Sequence, residues 1–344
     1  AVRILGQSKG RGALAVLIML LAVLLLTDIR MQYVSLQEDL YLSAFSPWDY
    51  SIADASAATS YQRYNERNQG IPQEMVDELK TRPEVTSVSA LKSREVTLTA
   101  DDTLHQRVVD YYNQPYDETM TLKESQAAYP DWMEGLDRFT ESGDYTAVVV
   151  GLDGAYLRYI LEYCPFTSGS FDQTAFESGD SVIAGGVNYD GVSCLEAGET
   201  LQLGEKTFTV MGSLMHDNTY LEGSNSPEAS FTFYYLVPLS VFDELFPGQC
   251  YRQLAGDIDP SQQAPFEAFL NQYEQGVNRG ISITLRSDYQ ENFENSRLNM
   301  VLIIGMVGAV LLGIAVLNFI NLLVTQTVSR RKEFAVYQSL GMTL

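Results

Sequence analysis

Few side chains in this 344-residue sequence have the types and spacing that catalysis requires. The two histidines, His105 and His216, lie far apart, and neither has a second ligand-like side chain at metal-binding spacing. His216 precedes Asp217, a pair found in nucleophilic triads, but no G-x-S-x-G turn that would present a serine accompanies it. The histidines are therefore interpreted as polar loop residues, and no catalytic residue is predicted.

Motifs for nucleotides and metals are also missing. The sequence contains no G-x-x-x-x-G-K-[ST] loop, which excludes a Walker A phosphate site. Asp257 and Asp259 in "GDIDP" lie two residues apart but lack the other ligands of a calcium loop. Cys164, Cys194 and Cys250 form no C-x-x-C motif; an oxidising compartment would permit one disulfide, whose pairing the sequence leaves open. We expect neither a metal nor a cofactor.

The charge of the chain is concentrated in its middle. The 22 basic and 44 acidic side chains give a net charge of −22. Three cations and no acid lie in residues 1–12, and three cations and one acid lie in residues 325–344, so 16 basic and 43 acidic side chains remain between residues 27 and 298. An acidic surface repels nucleic acid and favours solubility, and it is also compatible with a cationic peptide partner.

Two apolar segments are predicted to cross a membrane. Residues 300–317, "MVLIIGMVGAVLLGIAVL", are uncharged and long enough to span a hydrocarbon layer of ~30 Å. Residues 13–26, "ALAVLIMLLAVLLL", are shorter, and this run with its basic lead-in also resembles the core of a signal peptide. No small-x-small cleavage site follows it, and Arg11 and Arg30 can reach opposite interfaces, so we interpret it as a span.

The positions of the cations predict the orientation. Both outer flanks are short and basic, which places both ends of the chain in the cytoplasm of a multi-pass protein of the cell membrane. The predicted boundaries are a basic lead-in at 1–12, a transmembrane helix at 13–30, an extracellular domain at 31–298, a transmembrane helix at 299–324 and a cytoplasmic segment at 325–344.

The extracellular domain is predicted to be α+β, with paired βαβ halves and an inserted β-rich module. Residues 72–82 place Met75, Val76 and Leu79 on one helical face, and residues 198–214 show the turn-bracketed alternation of a hairpin. The two halves should pair side by side, because neither has enough strands for a stable sheet. We expect a first half at 48–100, an irregular insertion at 101–145, the β-rich module at 146–230, a second half at 231–288 and a helical stalk at 289–298.

The second span carries a predicted helix-packing surface. Gly305, Ala309 and Gly313 recur every four residues, a small-residue stripe that allows close approach of another helix. Asn318 and Asn321, one turn apart near the inner interface, can either hydrogen-bond across such a contact or simply be solvated.

The segment after the span is predicted to be a short amphipathic helix. Arg330, Arg331 and Lys332 anchor at the inner headgroups, and Phe334, Tyr337 and Leu340 follow at helical spacing. Gly341 can end this helix in a left-handed conformation. Such a helix lies on membrane lipid or fits a groove in a partner.

These residues resemble a family. "NFINLLVTQTVSRRKEFAVYQSLGMT", 318–343, looks like the segment after the second span of a MacB/FtsX-like ABC transporter permease module, and "YLSAFSPWDYSIADA" and "SVIAGGV…GETLQLGEKTFTVMGSL" resemble its extracellular domain in the long two-module permeases of Firmicutes. The resemblance implies a helix that docks on a separate ABC ATPase subunit. The docking residues carried over are Arg331, Glu333, Phe334, Ala335, Tyr337, Leu340 and Gly341. It also implies a homodimer or pairing with a second module.

The resemblance implies a permease subunit that couples ATP hydrolysis by the partner to movement of the extracellular domain, in export, extraction or resistance involving peptide- or lipid-like cargo. Because the chain stops before the third and fourth spans of the family, we expect a fragment of a longer permease. The alternatives are a two-span membrane sensor with an extracellular ligand-binding domain, and a membrane-anchored hydrolase, which would need a nucleophile and base that the sequence does not display together.

Overall fold

The computed structural model describes residues 17, 20, 21, 23, 24, 27, 28, 30–55, 70–186, 194–215, 231–276 and 280–339. The chain divides into two compact units. The first, called the sheet unit, is Ser46–Arg286, and the second, called the helical unit, comprises the chain up to Phe45 together with the chain from Ser287. The sheet unit is a mixed α/β domain with one large mixed sheet.

The described residues of the sheet unit form ten strands in one sheet. They are β1 (Tyr50–Asp54), β2 (Ser89–Thr99), β3 (Asp144–Leu152), β4 (Phe166–Gly169), β5 (Ser181–Gly185), β6 (Thr200–Leu203), β7 (Lys206–Leu214), β8 (Thr232–Pro238), β9 (Gln253–Gly256) and β10 (Ile281–Leu285). Their order is β10-β1-β9-β2-β3-β8-β5-β7-β4, and β6 also pairs with β7. The pairs β3–β8 and β5–β7 are parallel and the other pairs are antiparallel.

Helices of the sheet unit cover both faces of its sheet. These helices are α2 (Gln73–Thr81), α3 (Asp102–Tyr112), α4 (Leu122–Ser125), α5 (Pro130–Ser142), α6 (Gly154–Tyr163), α7 (Gln173–Glu177), α8 (Leu239–Leu245) and α9 (Gln263–Gly276). The helical unit contains α1 (Glu38–Phe45) and α10 (Arg286–Ser339, whose first residue belongs to the sheet unit). The predicted apolar face of α2 is confirmed, because Met75, Val76 and Leu79 are all buried.

The strands β10-β1-β9-β2 form the part called the inner sheet. β1 and β2 are joined through α2, and β9 and β10 are joined through α9, but the strands of each pair are separated in the sheet by a strand of the other. This is the split βαβ arrangement of ferredoxin-like folds. The two predicted halves do pair, but they interleave instead of lying side by side, because every neighbouring pair in this part is antiparallel.

The strands β2-β3-β8-β5-β7, with β4 and β6, form the part called the outer sheet. Alternate residues of β3 face opposite sides: Ala147 and Val149 pack in a core with α3 and α5, whereas Val148 and Val150 pack in a second core with α6. The predicted hairpin is confirmed as β6 and β7, which are joined by a two-residue turn containing Gly204 at φ 60°.

The segment predicted as an irregular insertion has regular structure. It contains α3, which begins at the N-cap Asp101, and α5, which ends at Gly143 with φ 77°. Their apolar residues complete the first core, including the fully buried Trp132 and Phe139. Trp132, Leu136 and Phe139 recur at the i, i+4, i+7 spacing of a helix, which is the signal in the sequence that indicates α5.

None of the three cysteines, all of which the structure describes, forms a disulfide. Cys164 and Cys194 are buried in different cores, on opposite sides of the sheet, and Cys250 is half-buried.

Candidate coupling stalk and transmembrane helix

Helix α10 is unbroken over 54 residues, from Arg286 to Ser339. At 1.5 Å per residue it is about 80 Å long, far longer than a hydrocarbon layer of ~30 Å. No proline interrupts it, and its glycines lie within the apolar run 300–317, where they are compatible with a helix. The sequence predicts a helical stalk that runs straight into the span, followed by a separate short tail helix. The structure joins the tail to the stalk and span in one helix.

Within the described part of the chain, the segment Arg286–Thr325 is long and apolar enough to cross a membrane. Its large side chains are exposed on several sides: Met306 and Val310 are 63% exposed and Leu317 is 68% exposed. Apolar side chains around the whole circumference are typical of a helix in lipid. Most of the first predicted span, 13–30, lies outside the described residues, so this N-terminal span stays a prediction.

The predicted helix-packing residues lie on the outside of α10. Ala309 and Gly313 are exposed, and Gly305 is partly exposed. A Cβ at Gly305 or Gly313 would meet no described atom within 4 Å. Asn318 and Asn321 are likewise exposed. The prediction that this stripe packs on another helix therefore stays a prediction.

The predicted ATPase-coupling residues fall partly within the structure. Arg331 and Ala335 are exposed on α10, and the same helix carries Glu333, Phe334 and Tyr337. Leu340 and Gly341 lie outside the described residues. The structure therefore places five of the seven residues on one continuous helix.

The sequence did not reveal the partner of the stalk. Within the helical unit, α1 packs against the first turns of α10 through aromatic rings: the Tyr41 ring lies 5.1 Å from Phe293 and 6.4 Å from Tyr289, and Phe45 stacks on Tyr289 at 6.2 Å. Leu42 and Phe293 are each only 4% exposed. The aromatic spacing Tyr41–Phe45, one helical turn, was the signal that could have indicated this helix.

Polar contacts continue the packing between α10 and the chain around α1 toward the apolar run of α10. The Gln290 amide donates to the Glu38 carboxylate at 2.6 Å. Arg297 donates to the Tyr33 hydroxyl, and its guanidinium lies 3.9 Å from the centre of the Tyr33 ring. The stalk is therefore a two-helix element held by ring packing and by cation–π and hydrogen-bond contacts.

Arg286 fixes the point where the chain leaves the sheet unit. Its backbone N–H donates to the carbonyl of Asp49 at 2.8 Å, and its guanidinium donates to the carbonyl of Ser46 at 3.0 Å. Ser46 is where the chain enters the sheet unit. The two crossing points are thus tied by hydrogen bonds, next to the paired strands β1 and β10.

The residues considered for chemistry have structural contacts. His105 stacks on Phe139, and its Nε2 lies 3.2 Å from the carbonyl oxygen of Thr140. Asp257 accepts from the Ser87 hydroxyl, and hydrogen bonds from the Ser261 N–H and hydroxyl lower the pKa of Asp259. His216 lies outside the described residues. The described residues contain no group of three His, Cys, Asp or Glu side chains arranged to hold a metal.

Comparisons with known proteins give structural neighbours only. No family model and no curated protein sequence matches the chain. It is similar to the periplasmic region of MacB from Actinobacillus actinomycetemcomitans, with a TM-score of 0.41 and 12% identity over 74% of this chain and 98% of that one. It is also similar to the extracellular domain of the noncanonic ABC-type transporter YknZ from Gram-positive bacteria, with a TM-score of 0.34 and 14% identity over 62% of this chain and 89% of that one. Likenesses of this size carry no conclusion about activity.

Proposed function

We propose that this chain is a permease subunit of a MacB/FtsX-like ABC transporter, located in the cell membrane. It hydrolyses no ATP itself. A separate ATPase subunit docks on the cytoplasmic end of α10, and the permease converts that subunit's cycle into movement of the extracellular sheet unit. The single observation that carries this proposal is the unbroken helix α10, which begins where strand β10 ends and carries the sequence motif Arg330–Ala335 near its other end.

An unbroken helix suits this role because its backbone hydrogen bonds all lie within the helix. A displacement at one end is therefore transmitted along the axis instead of being absorbed by a hinge. The bonds from Arg286 to Ser46 and Asp49 support the proposal at the other end, because they join the start of the helix to the first residues of the sheet unit.

The stalk supports the same role. Helix α1 and the first turns of α10 are joined by rings and by the Glu38–Gln290 bond, so a movement of α10 carries the preceding helix with it. In this proposal the apolar run contacts membrane lipid, and the stripe Gly305–Ala309–Gly313 packs on a second copy or a second permease module.

The net charge of the extracellular domain bears on the class of cargo. Peptide- or lipid-like cargo is what the family resemblance implies. An extracellular domain with 16 basic and 43 acidic side chains between residues 27 and 298 favours cationic members of that class over nucleic acid. Export, extraction from the membrane and resistance are all compatible with this class.

The proposal is tested by affinity purification of the full natural protein from its native membranes, followed by an ATPase assay of the eluate. We expect an ATPase to copurify with the wild type and to be lost, at least tenfold, with Phe334→Asp or Glu333→Lys, because both change the docking segment. Glu294→Lys is the matched control: it reverses an exposed charge on the same helix, outside the docking segment.

The absence of any copurifying ATPase from wild-type membranes would contradict the proposal. In that case the tail serves as a membrane anchor, and the two-span sensor becomes the better interpretation. Equal loss in all three variants, including the control, would also contradict a docking role for the tail.

A further inference from the structure

Within the described ranges, two strands of the outer sheet, β2 and β6, have edges along which no other strand pairs. β9 pairs with β2 only at Ser89–Leu91, so from residue 92 onward the described residues provide no strand on that side of β2. Where the structure describes the chain, β6 pairs with β7 alone, and no described strand lies on its other side. Exposed edges present unsatisfied N–H and C=O groups and readily accept another strand.

The two edges border one cavity of about 420 Å³. Thr97, Leu98 and Thr99 of β2 line one side, and Thr200, Leu201 and Gln202 of β6 line the other. Consecutive residues of a strand point to opposite faces, so a cavity that touches all three must lie along the strand edge and not over one face. The cavity is therefore a gap between two strand edges of a curled sheet.

The backbone groups inside the gap can be assigned from the ladders. The Leu91 carbonyl accepts from Arg252 N–H on the β9 side, so Thr97 and Thr99, at even spacing from Leu91, direct their N–H and C=O groups to the same open side. The Glu199 carbonyl accepts from Val210 in β7, so Thr200 and Gln202 direct theirs away from β7. Both edges therefore offer donors and acceptors at strand spacing.

The directions of the strands define what fits. Following the pairings from β2 through β3, β8, β5 and β7 to β6 gives β2 and β6 opposite directions. One extended segment placed between them would be antiparallel to one edge and parallel to the other. This sheet already contains both kinds of pair, and extended peptides add to sheet edges in this manner.

The walls of the gap define the side chains of that segment. The buried residues Leu104, Tyr145 and Leu195 form an apolar floor. The opposite side presents the exposed polar residues Thr97, Thr99, Thr200, Gln202 and Thr207. A segment that alternates apolar and hydroxyl residues matches these two sides.

Acidic residues at one end of the gap predict a cation at one end of the bound segment. Asp101 is the one charged residue that lines the described gap; it is exposed while its Oδ1 caps α3 by accepting from Leu104 N–H at 2.8 Å. Asp102 follows it in the sequence, and Asp144 pairs with Thr99 in the ladder between β2 and β3, so the electrostatic field at this end is negative. A lysine, an arginine or a terminal ammonium is complementary to it.

We propose that the gap between β2 and β6 is a binding site for one extended peptide segment with alternating apolar and hydroxyl residues and a cationic end. The segment inserts as a strand, hydrogen-bonds to Thr97 and Thr99 on one side and to Thr200 and Gln202 on the other, and places its cation near Asp101. This site does not depend on the proposed permease function, because it is built wholly within the sheet unit.

The first test uses the full chain in detergent and hydrogen–deuterium exchange. The probe is the blocked peptide acetyl-KTVTVTV-amide, and its control carries N-methyl groups on the three valines, which remove backbone donors. We expect the amides of Thr97, Thr99, Thr200 and Gln202 to exchange at least about tenfold more slowly with the probe and unchanged with the control. Slowing at neither edge, or at one edge only, would overturn the insertion.

The second test uses fluorescence anisotropy with a labelled probe and matched variants. Thr97→Pro removes an N–H that points into the gap and leaves the β2–β3 ladder intact, so we expect it to bind about tenfold more weakly than Thr97→Val, which keeps the N–H. If Thr97→Pro binds as tightly as Thr97→Val, the proposal is wrong. Should the proline variant fail to fold, the exchange result on the wild type decides.

Asp101→Asn tests the charged end separately. Asparagine keeps the N-cap of α3, so the fold is preserved. We expect about threefold weaker binding at low ionic strength and little difference from the wild type at 1 M salt. Unchanged affinity at low salt would contradict the placement of the cation. The tail variant Phe334→Asp should bind the probe normally, which separates failure of this site from failure of the permease proposal.

Discussion

The inner and outer parts of the sheet differ in the length of their strands, in the direction of strand pairing and in the core that packs on them. In the inner sheet, the strands β1, β9 and β10 have only four or five residues and every neighbouring pair is antiparallel. In the outer sheet, β3 and β7 have nine residues, two pairs are parallel, and a dense aromatic core packs on one face. Both parts bury an apolar core, and the core of the outer part is larger and richer in aromatic residues.

The difference is also one of sequence distance. The inner sheet joins residues 50–54 and 89–91 to residues 253–256 and 281–285, with most of the outer sheet inserted between them. Closing a loop of that length costs entropy before any inner contact forms. Many pairings of the outer sheet, such as the hairpin β6–β7, are much closer in sequence. We infer that the inner sheet is completed only when the inserted outer part is already folded.

The largest effect is expected from Gly256→Ala in the inner sheet. A Cβ at this position would lie 2.0 Å from the backbone carbonyl oxygen of Ser87 and 2.7 Å from the Tyr50 hydroxyl. Because a backbone atom cannot yield easily, we expect a loss of about 3 kcal/mol in the free energy of unfolding. The measurement is urea unfolding of the purified protein, followed by tryptophan fluorescence.

The control for this comparison is Gly276→Ala, where an added Cβ would meet no described atom within 4 Å. It should change stability by less than about 0.5 kcal/mol. Equal stability of the two variants would show that the inner sheet does not depend on close backbone approach.

A smaller effect is expected from Arg107→Gln in the outer part. The Arg107 guanidinium donates to the Glu199 carboxylate at 2.9 Å and to the Cys194 carbonyl at 2.7 Å, with side chains only 19% and 25% exposed for the ion pair. Hydrogen bonding to Arg107 lowers the pKa of Glu199. We expect a loss of about 2 kcal/mol, measured by urea unfolding.

Arg138→Gln is the matched control, because Arg138 is exposed and donates to an exposed neutral group, the Thr146 hydroxyl, at 3.0 Å. It should be nearly neutral. A double-mutant cycle with Glu199→Gln measures the coupling of the pair, and zero coupling would mean that the outer part is held by its apolar core alone.

The smallest effect concerns the tyrosines at alkaline pH. Burial raises the pKa of Tyr145 in the outer part to about 12, while its hydroxyl lies 2.8 Å from that of Tyr235. The folded protein keeps a proton that the unfolded chain releases, so the stability is complete below pH 10 and falls as the pH rises from 10 to 12. Tyr145→Phe should therefore reduce the alkaline loss by about 1 kcal/mol at pH 11.

In the inner sheet, burial also raises the pKa of Tyr50, which donates to the Ser87 carbonyl at 3.1 Å. Urea unfolding at pH 9 and pH 11 of Tyr145→Phe and Tyr50→Phe compares the two parts directly. If neither variant reduces the loss of stability between these pH values, these buried tyrosines do not control alkaline unfolding in either part.

Local features of the sequence predicted much of what is local in the structure. The helix at 73–81, the hairpin β6–β7 and the apolar run of α10 follow from periodicity, turn residues and hydropathy. Helix α1 was not predicted: the local spacing of Tyr41 and Phe45 is its one signal, and the residues on which they pack, Tyr289 and Phe293, lie some 250 residues later. The peptide gap was invisible for the same reason, since β2 and β6 border it from about 100 residues apart.

The sequence by itself determined which segments are apolar enough for a membrane, where the acidic block lies, and which short stretches form helices or strands. These properties depend on side chains that are close together along the chain. Only the tertiary structure decided the interleaving of the inner sheet, the packing of α1 on the first turns of α10, and the edges of β2 and β6 along which no described strand pairs. Strand order and edge pairing are set by backbone N–H and C=O groups, which are the same in almost every residue and so leave no pattern in the sequence.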